Sequence, residues 1–341
     1  MTKPRISQIC LEETPYYHCV SRCVRRAFLC GEDKFTGQSY EHRRAWIVDR
    51  LKQLSGVFAI DICAYAVMHN HTHTVLRVDK QQALSWSNEE VIDRWTHLYS
   101  PTPLVARYMA GIKMTAAERD VVSDDIKKWR HRLYDISWFM RNLNEAIARQ
   151  ANQEDGCTGR FWEGRFKSQA LLDEGALLTC MSYVDLNPIR AGIATMPETS
   201  DYTSIQARIQ HLHRLQSTKT GEEAFMTPPT PRGLLPFIGG ERDNQEKGLP
   251  FSTADYLQLT DWTGRAIRDD KSGAIPSHLA PILERLNINT DAWLDTIRDY
   301  GKRYYRVVGT KEAIRQYSQA LGIKWLCVTH TSQQLYDYEP S

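Results

Sequence analysis

The sequence has no apolar run long enough to cross a membrane. The longest such run, Phe58 to Met68, is interrupted by Asp61 and falls well short of the roughly 18 uncharged residues that a spanning helix needs. Residues 1–15 include basic side chains but lack the apolar stretch and the small-residue cleavage site of a secretion signal. We therefore expect a cytoplasmic protein without a membrane partner.

The sequence also has little excess of charge of either sign. It contains 43 Lys and Arg against 41 Asp and Glu, a formal net charge of +2, so the overall charge does not indicate a nucleic-acid partner. Cations do cluster in residues 126–150 and 298–315, where basic residues outnumber acidic ones three to one. Either cluster suits contacts to a phosphate backbone, and either is equally typical of a solvated helix face.

The eight cysteines lack the paired C-x-x-C spacing of structural zinc sites. Because no secretion signal is expected, these cysteines predict reduced thiols rather than a disulfide framework. The content of 42% hydrophobic and 25% charged residues is typical of a globular protein. At about 150 residues per domain, a chain of 341 residues predicts roughly two domains.

Strand and helix patterns follow one another through residues 1–215, which we interpret as the first domain. Strands are expected over 15–23, 57–68, 71–78 and 160–172, and helices over 39–54 and from the N-cap Asp173 to near Asn187, before Pro188. The short turn between the second and third strands predicts an antiparallel hairpin. A largely helical stretch at about 80–150 is interpreted as an insertion. The order predicts an α+β fold with helices packed on an antiparallel sheet.

The composition changes after residue 215. Residues 216–250 are rich in Pro, Gly and polar side chains and predict a linker, whereas 251–341 predict a helical domain. This second domain contains the run Arg303-Tyr304-Tyr305-Arg306 inside a basic cluster. Two interpretations stay open: the run contacts DNA through phosphates and exposed bases, or its tyrosines pack in a helical core.

Two histidines in the third predicted strand are candidates for metal binding. His71 and His73 are two residues apart, so both imidazoles project from one face of a strand and can share a divalent cation. A strand with two structural histidines is as common as a ligand pair. If the strand began earlier, His69 would join the same face, which permits a three-histidine zinc site.

A tyrosine and an asparagine lie on one face of the predicted helix that follows Asp173. Tyr183 and Asn187 are four residues apart, one helical turn. The Asn carbonyl oxygen suits a hard cation, and a tyrosine beside such a cation is a candidate nucleophile. The competing interpretation is an ordinary helix-face tyrosine and a helix-terminal asparagine next to Pro188.

Taken together, several segments resemble the IS200-like single-tyrosine (Y1) transposases, and most of all their branch of REP-associated tyrosine transposases. The resemblance covers roughly residues 14–205, in the segments PYYHCVSRC, YAVMHNHTH, GRFWEGRFKSQ, YVDLNPIRAGIA and DYTSI. It implies the HUH nuclease fold, an RRM-like or ferredoxin-like antiparallel sheet with packed helices. Thr72 stands where the family usually has an apolar residue, and residues 80–135 and the C-terminal third have no counterpart in short family members.

The same resemblance implies a function and its residues. Tyr183 corresponds to the family's catalytic tyrosine, and His71, His73 and Asn187 to its ligands for Mg²⁺ or Mn²⁺. The implied activity is a DNA transposase or endonuclease that cleaves and rejoins single-stranded or hairpin DNA through a 5′-phosphotyrosine intermediate. The alternatives are a catalytically inactive, domesticated DNA-binding protein of the same fold and a zinc hydrolase that uses the three-histidine site.

Four further residues are predicted to contact DNA: Ser21, Arg22, Arg26 and Arg165. Trp162 and Phe166 lie near Arg165 and suit stacking on bases, although we expect at least one of the two to pack in the core. The sequence leaves both a monomer and a homodimer open.

Overall fold

Five strands form one sheet in the structure, a computed structural model that describes residues 8–24, 29–32, 37–217, 230–239, 247–268, 280–323, 326 and 330–336. The strands are β1 (Tyr16–Arg22), β2 (Ile60–Val67), β3 (His71–Val78), β4 (Lys167–Leu171) and β5 (Val307–Val308). Their order across the sheet is β2-β3-β1-β4-β5. The first four strands pair antiparallel, as expected, and β2 and β3 form the predicted hairpin.

The expectation of a strictly antiparallel sheet is wrong at one edge, where β5 pairs parallel with β4. A parallel neighbour needs a long crossover connection, and the chain between the two strands supplies one that contains several helices. With only two residues, Val307 and Val308, β5 is too short to show the alternation that predicts a strand. The fold is therefore α+β with a mixed five-stranded sheet.

Helices make up most of the remaining described chain. They are α1 (Arg43–Val57), α2 (Lys80–Ser85), α3 (Asn88–Thr96), α4 (Pro103–Met109), α5 (Ala116–Arg132), α6 (Ile136–Glu154), α7 (Glu174–Asp185), α8 (Asn187–Arg190), α9 (Ser204–Ser217), α10 (Thr253–Arg268), α11 (Ala280–Arg285), α12 (Thr290–Arg303), α13 (Lys311–Ala320) and α14 (His330–Tyr336), with a 3₁₀ turn at Pro197–Thr199. Within the described ranges, none is long and apolar enough to cross a membrane.

The two faces of the sheet are covered by different helices. Tyr17, Cys19 and Ala170 belong to one buried cluster with residues of α1 and α6, including Leu51 and Phe139. Strand residues alternate between faces, so their neighbours point the other way. The second buried cluster joins strand residues such as Val75 and Leu171 to α7, α10 and α12. The segment resembling the transposase motif, in α7, thus lies on the face opposite to α1 and α6.

The described part of residues 251–341 packs against this second face. Its strand β5 extends the sheet, and α12 contacts α7. Tyr256, Trp293 and Ile297 share the buried cluster that contains α7. The domain boundaries near residues 215 and 251 stay a prediction, but the two stretches share buried apolar surface rather than meeting only through a linker.

Candidate metal and tyrosine site

Strand β3 presents both predicted histidines on the face covered by α7. In the antiparallel register, Arg22 of β1 lies opposite His71 and Val20 lies opposite His73, so these side chains share one face. The imidazole centroids of His71 and His73 are 4.8 Å apart. Thr72 is 2% exposed and projects to the other face, away from the histidines.

The start and end of α7 are set by local sequence. The Asp173 side chain accepts a hydrogen bond from the backbone N–H of Ala176, the N-cap predicted from sequence. The helix ends at Asp185, two residues earlier than expected. Pro188 then lies in the first turn of α8, where a missing N–H costs nothing. The break leaves Tyr183 and Asn187 on the side that faces β3.

The structure brings together the four residues that the family resemblance implies for catalysis. The Asn187 Nδ2 atom lies 3.2 Å from His73 Nε2. The Tyr183 ring centroid is 5.6 Å from that of His73, and the two rings meet edge to face. His73, Tyr183 and Asn187 are each less than a tenth exposed. His71 is half-buried and forms the open side of the group.

Hydrogen bonds at Nδ1 leave Nε2 of each histidine without a hydrogen. His71 Nδ1 lies 2.6 Å from Asn70 Oδ1, an oxygen that only accepts, so Nδ1 carries the hydrogen. Nε2 then has a free lone pair with which to bind a metal ion. His73 Nε2 lies 3.2 Å from Asn187 Nδ2, an amide NH2 that only donates, so Nε2 accepts and carries no hydrogen. With the amide turned so that its oxygen faces the histidines, two imidazole nitrogens and one carboxamide oxygen would form a donor set that fits Mn²⁺ well and Mg²⁺ less well.

The three-histidine zinc alternative finds no site in the described part of the chain. His69 is half exposed, and its Nε2 lies 4.0 Å from Glu41 Oε1 rather than beside the other two histidines. Across the described ranges, no three or more His, Cys, Asp or Glu side chains form a group that could hold a metal ion. Any metal site here therefore depends on the amide of Asn187.

Burial keeps the histidines of this face neutral at neutral pH. Burial, followed by the nearby Arg22 guanidinium, lowers the pKa of His71 to about 4. Burial, followed by the neighbouring His71 and His18, lowers the pKa of His73 well below its ordinary value. Burial also lowers the pKa of His18 to about 4. Neutral imidazole is the form that binds a metal ion.

These lowered pKa values predict acid sensitivity. In the unfolded chain the same histidines titrate near 6.5, so below that pH the unfolded chain binds more protons than the folded chain. The free energy of unfolding should therefore fall as pH is lowered from 6.5 towards 4, by up to about 1.4 kcal/mol per pH unit for each histidine. Urea unfolding of the metal-free protein between pH 7 and 5 measures this slope. His71→Gln should make the slope shallower; a slope equal to that of the wild type would contradict the assignment.

Besides His73, three residues lie against the tyrosine. The ring of Tyr183 stacks on Tyr300 of α12, with centroids 4.5 Å apart. The Arg190 guanidinium lies over the Tyr183 ring, with Cζ 4.6 Å from the centroid. A Cβ atom added at Gly301 would lie only 2.9 Å from the Tyr183 hydroxyl oxygen. Helix α12 therefore passes close to the oxygen that would act as nucleophile, and a side chain at position 301 would displace that oxygen.

This close approach predicts coupling between Gly301 and Tyr183. Gly301→Ala should destabilise the protein by about 1–3 kcal/mol, because the new methyl group overlaps the hydroxyl oxygen. In a Tyr183→Phe background the overlap disappears, and alanine should be neutral or stabilising through its higher helix propensity. A double-mutant cycle of unfolding free energies measures the coupling. Gly56→Ala in α1, where the added atom meets nothing within 4 Å, is the matched control. Equal costs of Gly301→Ala in both backgrounds would contradict the described position of the hydroxyl.

The predicted DNA-contacting residues do not all lie near the histidines. Arg22 is exposed and lies opposite His71. Ser21 is 2% exposed on the other face and accepts a hydrogen bond of 2.9 Å from Asn144 Nδ2. Arg26 lies outside the described residues. Arg165 is exposed and lines a groove of about 720 Å³ beside α6, on the Ser21 side of the sheet.

The aromatic candidates divide between surface and core. Phe166 is buried, whereas Trp162 is half-buried and its Nε1 donates to the Asn144 carbonyl oxygen at 2.8 Å. Tyr304 is 4% exposed and packs in the core, whereas Tyr305 is 82% exposed. Of the aromatic residues singled out in the sequence, Tyr305 is thus the most accessible for contact with a partner.

Sequence reasoning missed a row of polar side chains behind His73. His18 Nε2 lies 2.9 Å from His73 Nδ1, and His18 Nδ1 lies 3.2 Å from Gln169 Oε1. Tyr300 donates its hydroxyl to the same Gln169 oxygen at 2.8 Å. Strand alternation gives part of the signal, since it places His18 and Arg22 on one face of β1. The pairing of β1 with β3 and β4 supplies the rest.

A second missed residue, Asp185, anchors the end of α7. Its carboxylate accepts hydrogen bonds from the Ser204 hydroxyl, from the Tyr256 hydroxyl at 2.6 Å and from the Ile205 backbone N–H at 3.0 Å. Burial raises the pKa of Asp185 in spite of these bonds, of which the one from Ser204 lowers it most. Asp185 thereby ties the segment between Tyr183 and Asn187 to α9 and α10.

Comparison with known proteins gives one distant match. No family model and no curated protein matches the chain. A solved structure of a REP-associated tyrosine transposase bound to a REP hairpin is similar over 71% of this chain and 98% of that one. The two sequences are 13% identical and the TM-score is 0.34, an overlap too loose to place individual residues.

Proposed function

We propose that the protein cleaves and rejoins single-stranded or hairpin DNA through a covalent link to Tyr183. The proposal rests on one observation. Two separate sequence motifs predict the candidate residues, and the structure brings them together on one face of the sheet: Tyr183, His71, His73 and Asn187. Both histidines turn Nε2 away from their outer partners, as metal ligands do. A helix-face tyrosine with a purely structural role would not require this arrangement.

In the proposed reaction, the Tyr183 oxygen attacks the phosphorus of a phosphodiester. A bond forms between the tyrosine oxygen and phosphorus, and the bond between phosphorus and the 3′ oxygen breaks. The phenolic proton leaves the tyrosine, and the departing 3′ oxygen gains a proton to become a hydroxyl group. The product is a 5′-phosphotyrosine and a DNA strand with a 3′-hydroxyl end.

The reverse attack accounts for rejoining. A 3′-hydroxyl group attacks the phosphotyrosine, forms a new phosphodiester and releases Tyr183. Each step exchanges one ester bond for another, so no nucleotide cofactor is needed. If the 3′-hydroxyl belongs to the DNA strand that was cut, the original strand is restored. If it belongs to another DNA strand, the cleaved end is transferred to that strand.

Three residues of this chain would hold a divalent cation, Mn²⁺ or Mg²⁺: His71 and His73 through Nε2, and Asn187 through its carboxamide oxygen. When bound, such an ion neutralises charge on the scissile phosphate and helps to orient it for attack. Arg22, opposite His71 on the same face, and Arg190, over the Tyr183 ring, add positive charge at the place where a phosphate would lie.

Labelled oligonucleotides test the proposal. Single-stranded DNA with a palindrome, labelled separately at each end, is incubated with the protein and Mn²⁺ or EDTA and run on a denaturing protein gel. We expect a slower protein band that carries the label only when it lies 3′ of the cut, and only with Mn²⁺. DNA binding without an adduct under all conditions would instead favour the inactive, domesticated protein.

A further inference from the structure

A buried row of side chains connects α12 to the proposed metal ligand on β3. We propose that His18 is a positioning residue that holds His73 in the tautomer with hydrogen on Nδ1, and that Gln169 and Tyr300 in turn fix His18. This inference rests on the proposed function, because it concerns a ligand of that metal site. It assigns a role to three residues outside the transposase-like metal and tyrosine motif.

The hydrogen positions along the row follow from its donors and acceptors. The Tyr300 hydroxyl and His18 Nδ1 both approach the same Gln169 oxygen, at 2.8 and 3.2 Å, and an amide oxygen only accepts. His18 Nδ1 therefore carries its hydrogen, which leaves His18 Nε2 as an acceptor. The hydrogen in the 2.9 Å contact must then come from His73 Nδ1. His73 Nε2 then carries no hydrogen and accepts a hydrogen bond from Asn187 Nδ2 at 3.2 Å.

Burial makes this arrangement costly to break. His18 is 5% exposed, Gln169 is 5% exposed and Tyr300 is 1% exposed, so no bulk water replaces a lost partner. An N–H of His73 left without an acceptor loses its hydrogen bond to water without a replacement, which is unfavourable. Without His18, Nδ1–H of His73 has no acceptor, whereas a hydrogen on Nε2 finds one once the Asn187 amide turns its oxygen towards it. In that form His73 no longer offers Nε2 to a metal. Loss of such an outer partner typically weakens metal binding about 10–100-fold.

The two ligands differ in how they are held. His71 pairs with its chain neighbour Asn70, next to the surface, whereas His73 depends on side chains from β1, β4 and α12. Gln169 and Tyr300 are 131 residues apart in the chain. The C-terminal segment thus contributes to the metal site through its contact with Gln169, without supplying a ligand itself.

Two substitutions at one position separate hydrogen bonding from simple space filling. His18→Leu keeps an apolar volume but offers no acceptor to His73 Nδ1. His18→Gln carries both an acceptor for His73 and a donor for Gln169, so it should restore the function. If His18→Leu fails to fold, Gln169→Leu replaces it, because this variant frees His18 Nδ1 and should shift both readouts in the same direction by a smaller amount.

Two readouts are measured on the full-length chain. Long-range ¹H–¹⁵N spectra of histidine-labelled, metal-free protein report the tautomer of His73, assigned by the signal lost in His73→Gln. Titration with Mn²⁺ alone, followed by electron paramagnetic resonance, reports affinity. We expect the Nδ1–H tautomer in wild type and in His18→Gln. In His18→Leu we expect a mixture of tautomers and a 10–100-fold weaker affinity.

The outcomes distinguish this inference from the proposed function. Wild-type affinity and tautomer in His18→Leu would overturn the positioning role while leaving the metal site intact. An affinity loss in His18→Gln equal to that in His18→Leu would also overturn it, since space rather than hydrogen bonding would then matter. A wild-type protein that binds no Mn²⁺ would overturn both proposals.

Discussion

Replacing Tyr183 with phenylalanine should abolish the covalent DNA adduct while leaving the protein folded. The change removes only the hydroxyl oxygen, so no atom remains that can form the phosphotyrosine bond. Removing a nucleophile from an enzyme commonly lowers the rate by at least about 10⁴-fold. The rate of appearance of the labelled protein band, with saturating DNA and Mn²⁺, measures this loss.

The structure explains why Tyr183→Phe should remove the hydroxyl without disturbing the packing of the ring. The ring contacts with Tyr300, His73 and Arg190 involve carbon atoms that phenylalanine also has. Tyr305→Phe is the matched control, because it removes a hydroxyl from an exposed tyrosine of the same chain. It should form the adduct at the wild-type rate. An adduct that persists in Tyr183→Phe would refute the assignment of the nucleophile.

The sequence predicts structure best where the pattern involves only neighbouring residues, such as strand alternation or a helix cap. Strand β3 begins at His71 as expected, and Asp173 caps α7, because alternation and capping act over a few residues. Strand β5 could not be predicted. Val307 and Val308 form a strand because they pair with β4. A sequence of two residues contains no pattern from which that pairing could be predicted.

The same distinction holds for the site. Spacing placed His71 with His73 and Tyr183 with Asn187, since each pair lies within one element. Family resemblance was needed to join the two pairs. The supporting row behind His73 combines β1, β4 and α12, and its last contact joins residues far apart in the chain. Such contacts depend on strand order and helix packing, which no local pattern contains.

Changing either strand histidine should prevent DNA cleavage without preventing DNA binding. His71→Ala and His73→Ala each remove one proposed ligand nitrogen, so Mn²⁺ binding should weaken and adduct formation should fall below detection. Affinity for uncleaved single-stranded DNA should change little, because contacts to the phosphate backbone supply most of it. Parallel adduct assays and fluorescence anisotropy, with Mn²⁺ varied from micromolar to millimolar, measure the two effects separately.

His69→Ala is the control that distinguishes the two candidate metal sites. His69 lies two residues before His71, but it is half exposed and close to Glu41 rather than to the proposed ligands. It should therefore keep wild-type cleavage, Mn²⁺ dependence and DNA affinity. A three-histidine zinc hydrolase would lose its activity in all three variants, would depend on Zn²⁺ and would not require Tyr183. Cleavage that survives His71→Ala and His73→Ala but requires His69 would contradict the placement of the metal beside Asn187.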